Sequence, residues 1–230
     1  MPQNGVHAIV GTMARKWMPQ KEWLVLGIVL GNMAPDLDNF VVAYATLAKL
    51  PDPESYHRTF SHSIFSIAVM LVVFHLIAAI TWNEKWRNFG NGFGVGILMH
   101  ILVDLALWFN GVELMWPVKY ELNFWSWFTV PGWLKILLDT GEFLAFGLYF
   151  LLLGSLTRKQ NTDTDRRRSL WVWVILQFTL FVLFTLIFFI TGTKGLQYTI
   201  FGGLYLASMV TAMIVTIQMR RTIEAVQAAK

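Results

Sequence analysis

Histidine and aspartate side chains, which bind divalent metal ions, are concentrated in two parts of this sequence. One part runs from Gly31 to Ser63 between two strongly apolar segments, and the other is the stretch GILMHILVD. Together they supply six candidate ligands, which are Asp36, Asp38, His57, His62, His100 and Asp104. Three aspartates and three histidines are enough for a two-metal site, or for one metal ion with a general base.

His100 and Asp104 form the strongest pair among these residues. They are four residues apart, so on a helix they point the same way from adjacent turns and can reach the same ion. They lie inside an apolar segment, where a bare carboxylate costs on the order of 3 kcal/mol to insert into a membrane. The structural alternative is that Asp104 only pairs with His100 and ties helices together.

The remaining candidates are weaker when each is taken alone. The D-x-D pair after Pro35 is typical of a turn or a cap. His57 and His62 are five residues apart, which on a continuous helix would leave them about 140° apart around the axis. We therefore expect them to lie on either side of a turn at the start of a helix. Arg58 is then available to neutralise a phosphate group.

Two further titratable residues stand apart from the six. His7 lies near the start of a predicted short helix over residues 6–17, which can fold back toward Asp36 and supply a seventh metal ligand. Glu142 lies in the outer part of a predicted span over residues 133–156. The cost of a carboxylate at that depth makes Glu142 a candidate further ligand, or an acid or base in catalysis.

The elements that position these residues are predicted to be membrane-spanning helices. The 230 residues are 56% hydrophobic and only 14% charged, whereas soluble domains carry about 25% charged residues. Several apolar runs approach the roughly 20 residues that cross a bilayer. The predicted fold is an all-α polytopic bundle with about five full spans and short N-terminal half-membrane helices. The spans cover about residues 63–82, 91–109, 133–156, 171–192 and 198–219.

The sequence also predicts local features of these helices and the organisation of the chain. Pro35 should end the preceding helix and leave the DLD segment as a loop, and Ser61 is a suitable cap for the span after it. Three glycines, at residues 92, 94 and 96, predict close helix packing. We expect residues 1–156 to carry the metal site, and 157–230 to add a basic loop and two spans within the same compact domain.

Charge and cysteine content narrow the classes of function. The net charge is +4, and the basic residues form short clusters between apolar runs. This pattern disfavours nucleic-acid binding and favours membrane lipid as the partner. The chain has no cysteine, so a metal must be held by nitrogen and oxygen, which allows zinc, manganese, iron or magnesium. We expect no cleavable signal peptide, because the N-terminus lacks a basic region before an apolar core.

Lysine and arginine positions predict the orientation of the spans. The basic clusters around Arg15, Lys85, Arg167 and Arg220 fall on one side, which should be the cytoplasmic side of a bacterial membrane. The C-terminus is then inside, and the six candidate ligands gather in the extracytoplasmic leaflet. A transporter is expected to place ionisable groups through the whole membrane depth.

The order and spacing of the motifs resemble the YdjM-like family of predicted membrane-bound, metal-dependent hydrolases. The resemblance covers about residues 5–145, and the last two spans carry no matching motif. It rests on His7, on Gly31, Pro35, Asp36 and Asp38, on His57, Arg58, Ser61, His62 and Ser63, on Gly96, His100 and Asp104, and on Gly111, Val112, Trp116 and Pro117. The chain departs from the family's HRG-x-TH block at Thr59, Phe60 and Ser61. It also has LALWF where the family often has a threonine.

The resemblance implies a chemistry for the site. The family is thought to be related to zinc-dependent phospholipase C-type enzymes, which implies zinc bound by histidine and aspartate and a phosphoester substrate. We therefore predict a hydrolase that cleaves a lipid or lipid-linked phosphoester with a metal-activated water at the extracytoplasmic face. Arg58 would stabilise the negative charge that develops on the phosphoryl group. The alternatives are a metal-binding or ion-transporting protein without hydrolysis, and a structural or partner-binding subunit.

Overall fold

The computed structural model of the chain describes residues 4–109 and 111–225, and it confirms the predicted all-α fold. The α-helices are α1 (Asn4–Ala14), α2 (Leu24–Met33), α3 (Asn39–Leu47), α4 (Ile64–Thr81), α5 (Glu84–Leu107), α6 (Gly132–Gln160), α7 (Arg167–Thr191), α8 (Gly195–Gln218) and α9 (Arg220–Glu224). Short 3-10 helices cover Ala34–Asp38, Pro53–Tyr56, Phe60–His62 and Thr164–Arg166.

Within the described ranges, six helical segments are long and apolar enough to cross a membrane. They are Leu24–Leu47, Ile64–Thr81, Glu84–Leu107, Gly132–Gln160, Thr164–Thr191 and Gly195–Gln218. Five of them correspond to the predicted spans. The sixth, Leu24–Leu47, lies where the sequence predicts short half-membrane helices, and it joins α2 to α3. Large apolar side chains are exposed along α4 and α7, as expected of helices that face lipid.

The backbone around Pro35 differs from the predicted loop. Ala34–Asp38 is a 3-10 helix with the proline in its first turn, where the missing N–H costs no hydrogen bond. The chain therefore stays helical and only changes its pitch. Because a 3-10 helix has three residues per turn, Asp36 and Asp38 leave it in different directions.

The chain forms two compact units. One contains Met1–Ile9 and Val130–Lys230, and the other contains Val10–Thr129. The second unit therefore holds α2 to α5 and the aromatic-rich loop that follows α5. The predicted division of the chain near residue 156 stays a prediction.

Glycines bring α2 and α5 into backbone contact within the Val10–Thr129 unit. A Cβ atom added at Gly27 or Gly31 would strike the backbone of α5, and one added at Gly92 or Gly96 would strike the backbone of α2. The predicted close packing is therefore confirmed for Gly92 and Gly96. Gly94 faces α4 instead. This contact fixes the position of α5 along its axis relative to the C-terminal end of α2.

The start of α4 is held by a different serine from the predicted one. The side chain of Ser63 accepts a hydrogen bond from the backbone N–H of Ser66 at 3.4 Å, so Ser63 caps the helix. The backbone N–H of Ile64 also donates to the carbonyl of Leu114, in the loop after α5, at 3.1 Å. Ser61 is thereby left for the interior of the site.

The unit formed by Met1–Ile9 and Val130–Lys230 has a core of aromatic side chains on α6, α7 and α8. Phe143, Phe184 and Phe201 pack with ring centroids 5.3 to 5.8 Å apart. A buried hydrogen bond of 2.6 Å between the Tyr149 and Thr216 hydroxyls links α6 to α8. Paired polar groups of this kind can be buried between membrane helices at little cost.

Candidate metal centre

Four buried side chains meet between the 3-10 helix after α2, the 3-10 helix before α4 and the C-terminal part of α5. The Nε2 atoms of His62 and His100 are 3.0 Å apart. Oδ1 of Asp36 lies 3.8 Å from the first nitrogen and 3.7 Å from the second. Oδ2 of Asp104 lies 3.7 Å from each of them. All four residues are 0% exposed.

The two imidazole nitrogens can share one divalent cation with a carboxylate oxygen of Asp36 or of Asp104. Ligands about 2.0–2.1 Å from a tetrahedral zinc ion are about 3.3–3.4 Å from one another. The five separations that involve an imidazole nitrogen lie between 3.0 and 3.8 Å, which brackets that value. Two imidazole nitrogens and two carboxylate oxygens suit zinc and also manganese or iron.

The second nitrogen of each imidazole ring sets its tautomer. Nδ1 of His100 lies 2.7 Å from the backbone carbonyl of Asn32, which can only accept, so Nδ1 carries the hydrogen. The Ser61 hydroxyl donates to Asp38 Oδ2 at 2.7 Å and accepts from Nδ1 of His62 at 2.9 Å. Both Nε2 atoms therefore present lone pairs to each other. Two lone pairs at 3.0 Å need a proton or a metal cation between them.

Asp38 lies on the side of the His62 ring that faces away from its Nε2 atom. Its Oδ1 lies 2.6 Å from Nδ1 of His57, and its Oδ2 accepts from the backbone N–H of Arg58 at 3.0 Å. The ligand atoms of His57, Asp36 and His62 also lie within 4.8 Å of one another. His57 can therefore reach an ion near the cluster, and direct metal binding by Asp38 and His57 stays a prediction.

Arg58 is buried beside the cluster in a backbone conformation that is uncommon for its type. Its φ is 61°, in the left-handed region that costs on the order of 1 kcal/mol for a residue with a Cβ. Its Nη2 lies 3.3 Å from Asp104 Oδ2, and its carbonyl accepts from the Glu113 N–H at 3.3 Å. The fixed guanidinium places a positive charge at the edge of the candidate metal site.

His62 lies in the connection between the first two candidate spans and is surrounded by carboxylates. Burial disfavours its charged form, but hydrogen bonding to Asp36 and Asp38 and the nearby charge of Asp104 favour it more strongly. The balance raises the pKa of His62 to about 9. This raised pKa favours the protonated form of His62 at neutral pH in the metal-free protein.

His7 and Glu142 lie in the other compact unit. His7 is buried in α1, and Glu142 is buried in α6, where its Oε2 accepts from the Asn4 backbone N–H at 3.1 Å. The predicted roles of His7 as a ligand and of Glu142 as an acid or base stay predictions. His75 bonds through Nδ1 to the Leu71 carbonyl of its own helix at 2.8 Å.

Two residues of the site have roles that the sequence does not predict. Asn32 supplies the carbonyl that orients His100, and its buried amide nitrogen and oxygen have no hydrogen-bond partner among the described residues. The sequence signal for Asn32 is a polar residue within the apolar run EWLVLGIVLGNMA. Ser61 connects Asp38 to His62, and a pattern of residue types does not distinguish that role from capping.

Fold and site together define a polytopic membrane protein that gathers two imidazoles and two carboxylates in a buried cluster. The chain belongs to the YdjM inner membrane protein family, whose profile matches residues 5–221. This confirms the predicted resemblance. The chain is 28% identical over 112 residues to inner membrane protein YdjM of Escherichia coli strain K12, which covers 46% of this chain and 56% of that protein. The same values hold for inner membrane protein YdjM of Shigella flexneri.

The chain thus spans about half the length of the curated relatives it matches. No solved structure matches it. The match to the family profile runs from α1 into α9, so it includes every residue of the candidate metal centre.

Proposed function

We propose that this protein is an integral membrane metal-dependent hydrolase that cleaves a phosphoester of a lipid or lipid-linked substrate. The observation that carries the proposal is the meeting of two imidazole Nε2 atoms at 3.0 Å, flanked by carboxylates of Asp36 and Asp104. A bound divalent cation, with zinc as the first choice, would lower the pKa of a water ligand toward neutrality and polarise the phosphoryl oxygen.

The chain's own residues prepare the site for that cation. Asp38 and Ser61 keep His62 in the tautomer that turns its Nε2 to the cluster, and the Asn32 carbonyl does the same for His100. Such partners of metal-binding histidines fix the ring orientation and increase ligand basicity. Arg58 offers a planar set of donors that suits a phosphoryl group.

Burial supports a lipid-like substrate. His100 and Asp104 are fully buried within the candidate span Glu84–Leu107. A substrate whose phosphoester lies near the membrane surface can approach this depth along the apolar helices, whereas a fully soluble substrate has no need of it. The proposal of a lipid-like substrate rests on the proposal that the protein is a hydrolase.

Charge and span number support an extracytoplasmic site in a bacterial cytoplasmic membrane. Six spans would place both ends of the chain on the same side. Basic residues near both ends, around Arg15 and Arg220, agree with a cytoplasmic location for that side. The connection that carries His57 and His62 then faces outward.

One observation favours a second candidate, a metal-binding membrane protein without hydrolysis. A carboxylate oxygen of Asp36 and one of Asp104 each lie within 3.8 Å of both imidazole nitrogens, and all four residues are buried. Structural zinc sites have four protein ligands, whereas catalytic sites keep a position for water. An ion-transporting protein belongs to the same alternative.

Metal analysis of the purified protein tests both candidates. We expect stoichiometric metal in the wild type and in the control variant His75→Ala, whose side chain is exposed on α4. His100→Ala and Asp36→Ala should each lose the metal, because each removes one of four ligands. Wild-type protein that is free of metal after preparation without chelators would overturn both candidates.

A second measurement separates the two candidates from each other. Metal-loaded protein is incubated with lipid phosphoesters, and released phosphate or phospho-alcohol is measured before and after removal of the metal by a chelator. Cleavage that requires the metal supports the hydrolase. Bound metal without cleavage of any lipid phosphoester favours the metal-binding alternative.

A further inference from the structure

A groove of about 200 Å³ lies between α6 and α7, in the unit formed by Met1–Ile9 and Val130–Lys230, which does not contain the four donor residues of the candidate metal centre. Its lining on α6 advances in helical steps from Phe150 and Leu151 through Gly154 to Arg158. On α7 the lining runs from Arg167 through Leu170 and Trp171 to Val174.

The groove has a polar end and an apolar depth. Residues 161–166 join the two helices, so Arg158 and Arg167 both lie at the connected end. The aromatic and aliphatic side chains line the part further along both helices. Arg158 is near the end of the candidate span Gly132–Gln160, and Arg167 is near the start of Thr164–Thr191. The two guanidinium groups are therefore expected at the depth of lipid headgroups.

Charge at the polar end is uncompensated. Within the described residues, neither the Arg158 side chain nor the Arg167 side chain forms a hydrogen bond or ion pair, and no aspartate or glutamate lines the groove. Arg166, by contrast, pairs with Asp165 and with Gln218. Two exposed arginines at the end of an apolar groove suit an anion with an apolar tail.

We propose that this groove binds an anionic glycerophospholipid. Its phosphate pairs with Arg158 and Arg167, because guanidinium groups form short, directional bonds to phosphate oxygens. The first part of one acyl chain lies along Leu170 and Trp171. The volume is below the roughly 300 Å³ at which pockets enclose a whole small molecule, so the remaining chain extends into the bilayer.

Gly154 provides the space for the lipid acyl chain. A Cβ atom added there would meet only the Leu170 side chain, at 4.0 Å. The backbone can therefore accept a larger residue without distortion. A leucine at this position would fill the groove while leaving both arginines in place.

Lipid binding to the purified full chain tests the proposal by native mass spectrometry or by titration in nanodiscs. The probes are phosphatidylglycerol and phosphatidylcholine with identical acyl chains. We expect the wild type to prefer phosphatidylglycerol, and Arg158→Gln and Arg167→Gln to weaken its binding by about fivefold each. Arg168→Gln is the matched control, since it removes the same charge from an exposed side chain outside the groove.

The variant Gly154→Leu tests the contact with the acyl chain separately from the contact between the arginines and the phosphate. It should weaken phosphatidylglycerol binding although both arginines remain, with an unchanged gel-filtration profile and thermal midpoint. Equal weakening by Arg168→Gln, equal binding of phosphatidylcholine, or displacement of the lipid by inorganic phosphate at the same concentration would each overturn the proposal. The test does not involve the metal cluster, so it is independent of the hydrolase assignment.

Discussion

Asp38 determines the orientation of His62, although it is not one of the four closest donor residues. Its Oδ2 accepts from Ser61 and from the backbone of Arg58, and its Oδ1 contacts His57. Loss of such a partner of a metal-binding histidine typically costs 10- to 100-fold in metal affinity. We expect Asp38→Asn to weaken metal binding by about that factor while the protein still folds.

Competition with a fluorescent chelator measures this loss. Asp52→Asn is the matched control, because Asp52 is exposed on the loop before Pro53–Tyr56. Complete loss of metal in Asp38→Asn, equal to that in His100→Ala, would make Asp38 a direct ligand. Unchanged affinity would show that Asp38 has no influence on the site.

Metal affinity should depend on pH because His62 must release its proton. The pKa of His62 is raised to about 9 in the metal-free protein, so below that pH a cation must displace one proton from the ring. We expect affinity to fall as the pH is lowered from 9, by about tenfold per pH unit for one released proton. Chelator competition at pH 6, 7 and 8 checks the slope, and a flat response would contradict it.

The backbone contact between α2 and α5 positions Asn32 beside His100. Gly96 meets the backbone of α2 with no room for a Cβ atom, so Gly96→Ala must separate the two helices. Overpacking of this kind typically costs about 1–3 kcal/mol, or roughly 5 °C in thermal midpoint for a chain of this length. The midpoint in detergent checks this expectation, and metal affinity should fall in parallel.

Gly203→Ala is the control for helix propensity. Nothing lies within 4 Å of a Cβ atom at Gly203 on α8, so this change should leave the midpoint equal or slightly higher. A Gly96→Ala protein as stable as Gly203→Ala would contradict the close contact of α2 and α5.

The regular helices could be predicted from the sequence. The relative directions of side chains on one helix could also be predicted, because they depend only on the spacing of the residues. His100 and Asp104 share one face of α5 as predicted, because their separation of four residues fixes their directions on any α-helix. The 3-10 turn at Pro35 could not be predicted, since a proline suits both a loop and the first turn of a helix. The role of Ser61 depends on a partner, Asp38, 23 residues away, and no local pattern contains that information.

The predicted orientation of the whole molecule can be tested with the chain itself, because it contains no cysteine. Glu54→Cys lies on the connection before His57, and Thr164→Cys lies on the connection between α6 and α7, and both side chains are exposed. We expect a membrane-impermeant maleimide to label Glu54→Cys in spheroplasts and to label Thr164→Cys only after the membrane is opened. The reverse labelling pattern would place the C-terminus outside the cell and the candidate metal centre on the cytoplasmic side.

The four donor residues of the cluster come from three separate stretches of the chain, with Asp36 first, His62 next, and His100 and Asp104 last. During synthesis, the first two stretches leave the ribosome well before the third. A chain that has inserted only as far as α4 holds two of the four donors, which is too few to retain a metal ion against competing cellular ligands. If the cluster binds a metal ion as we propose, the ion can be retained only after α5 has been inserted, so metal loading would follow translation of this central span.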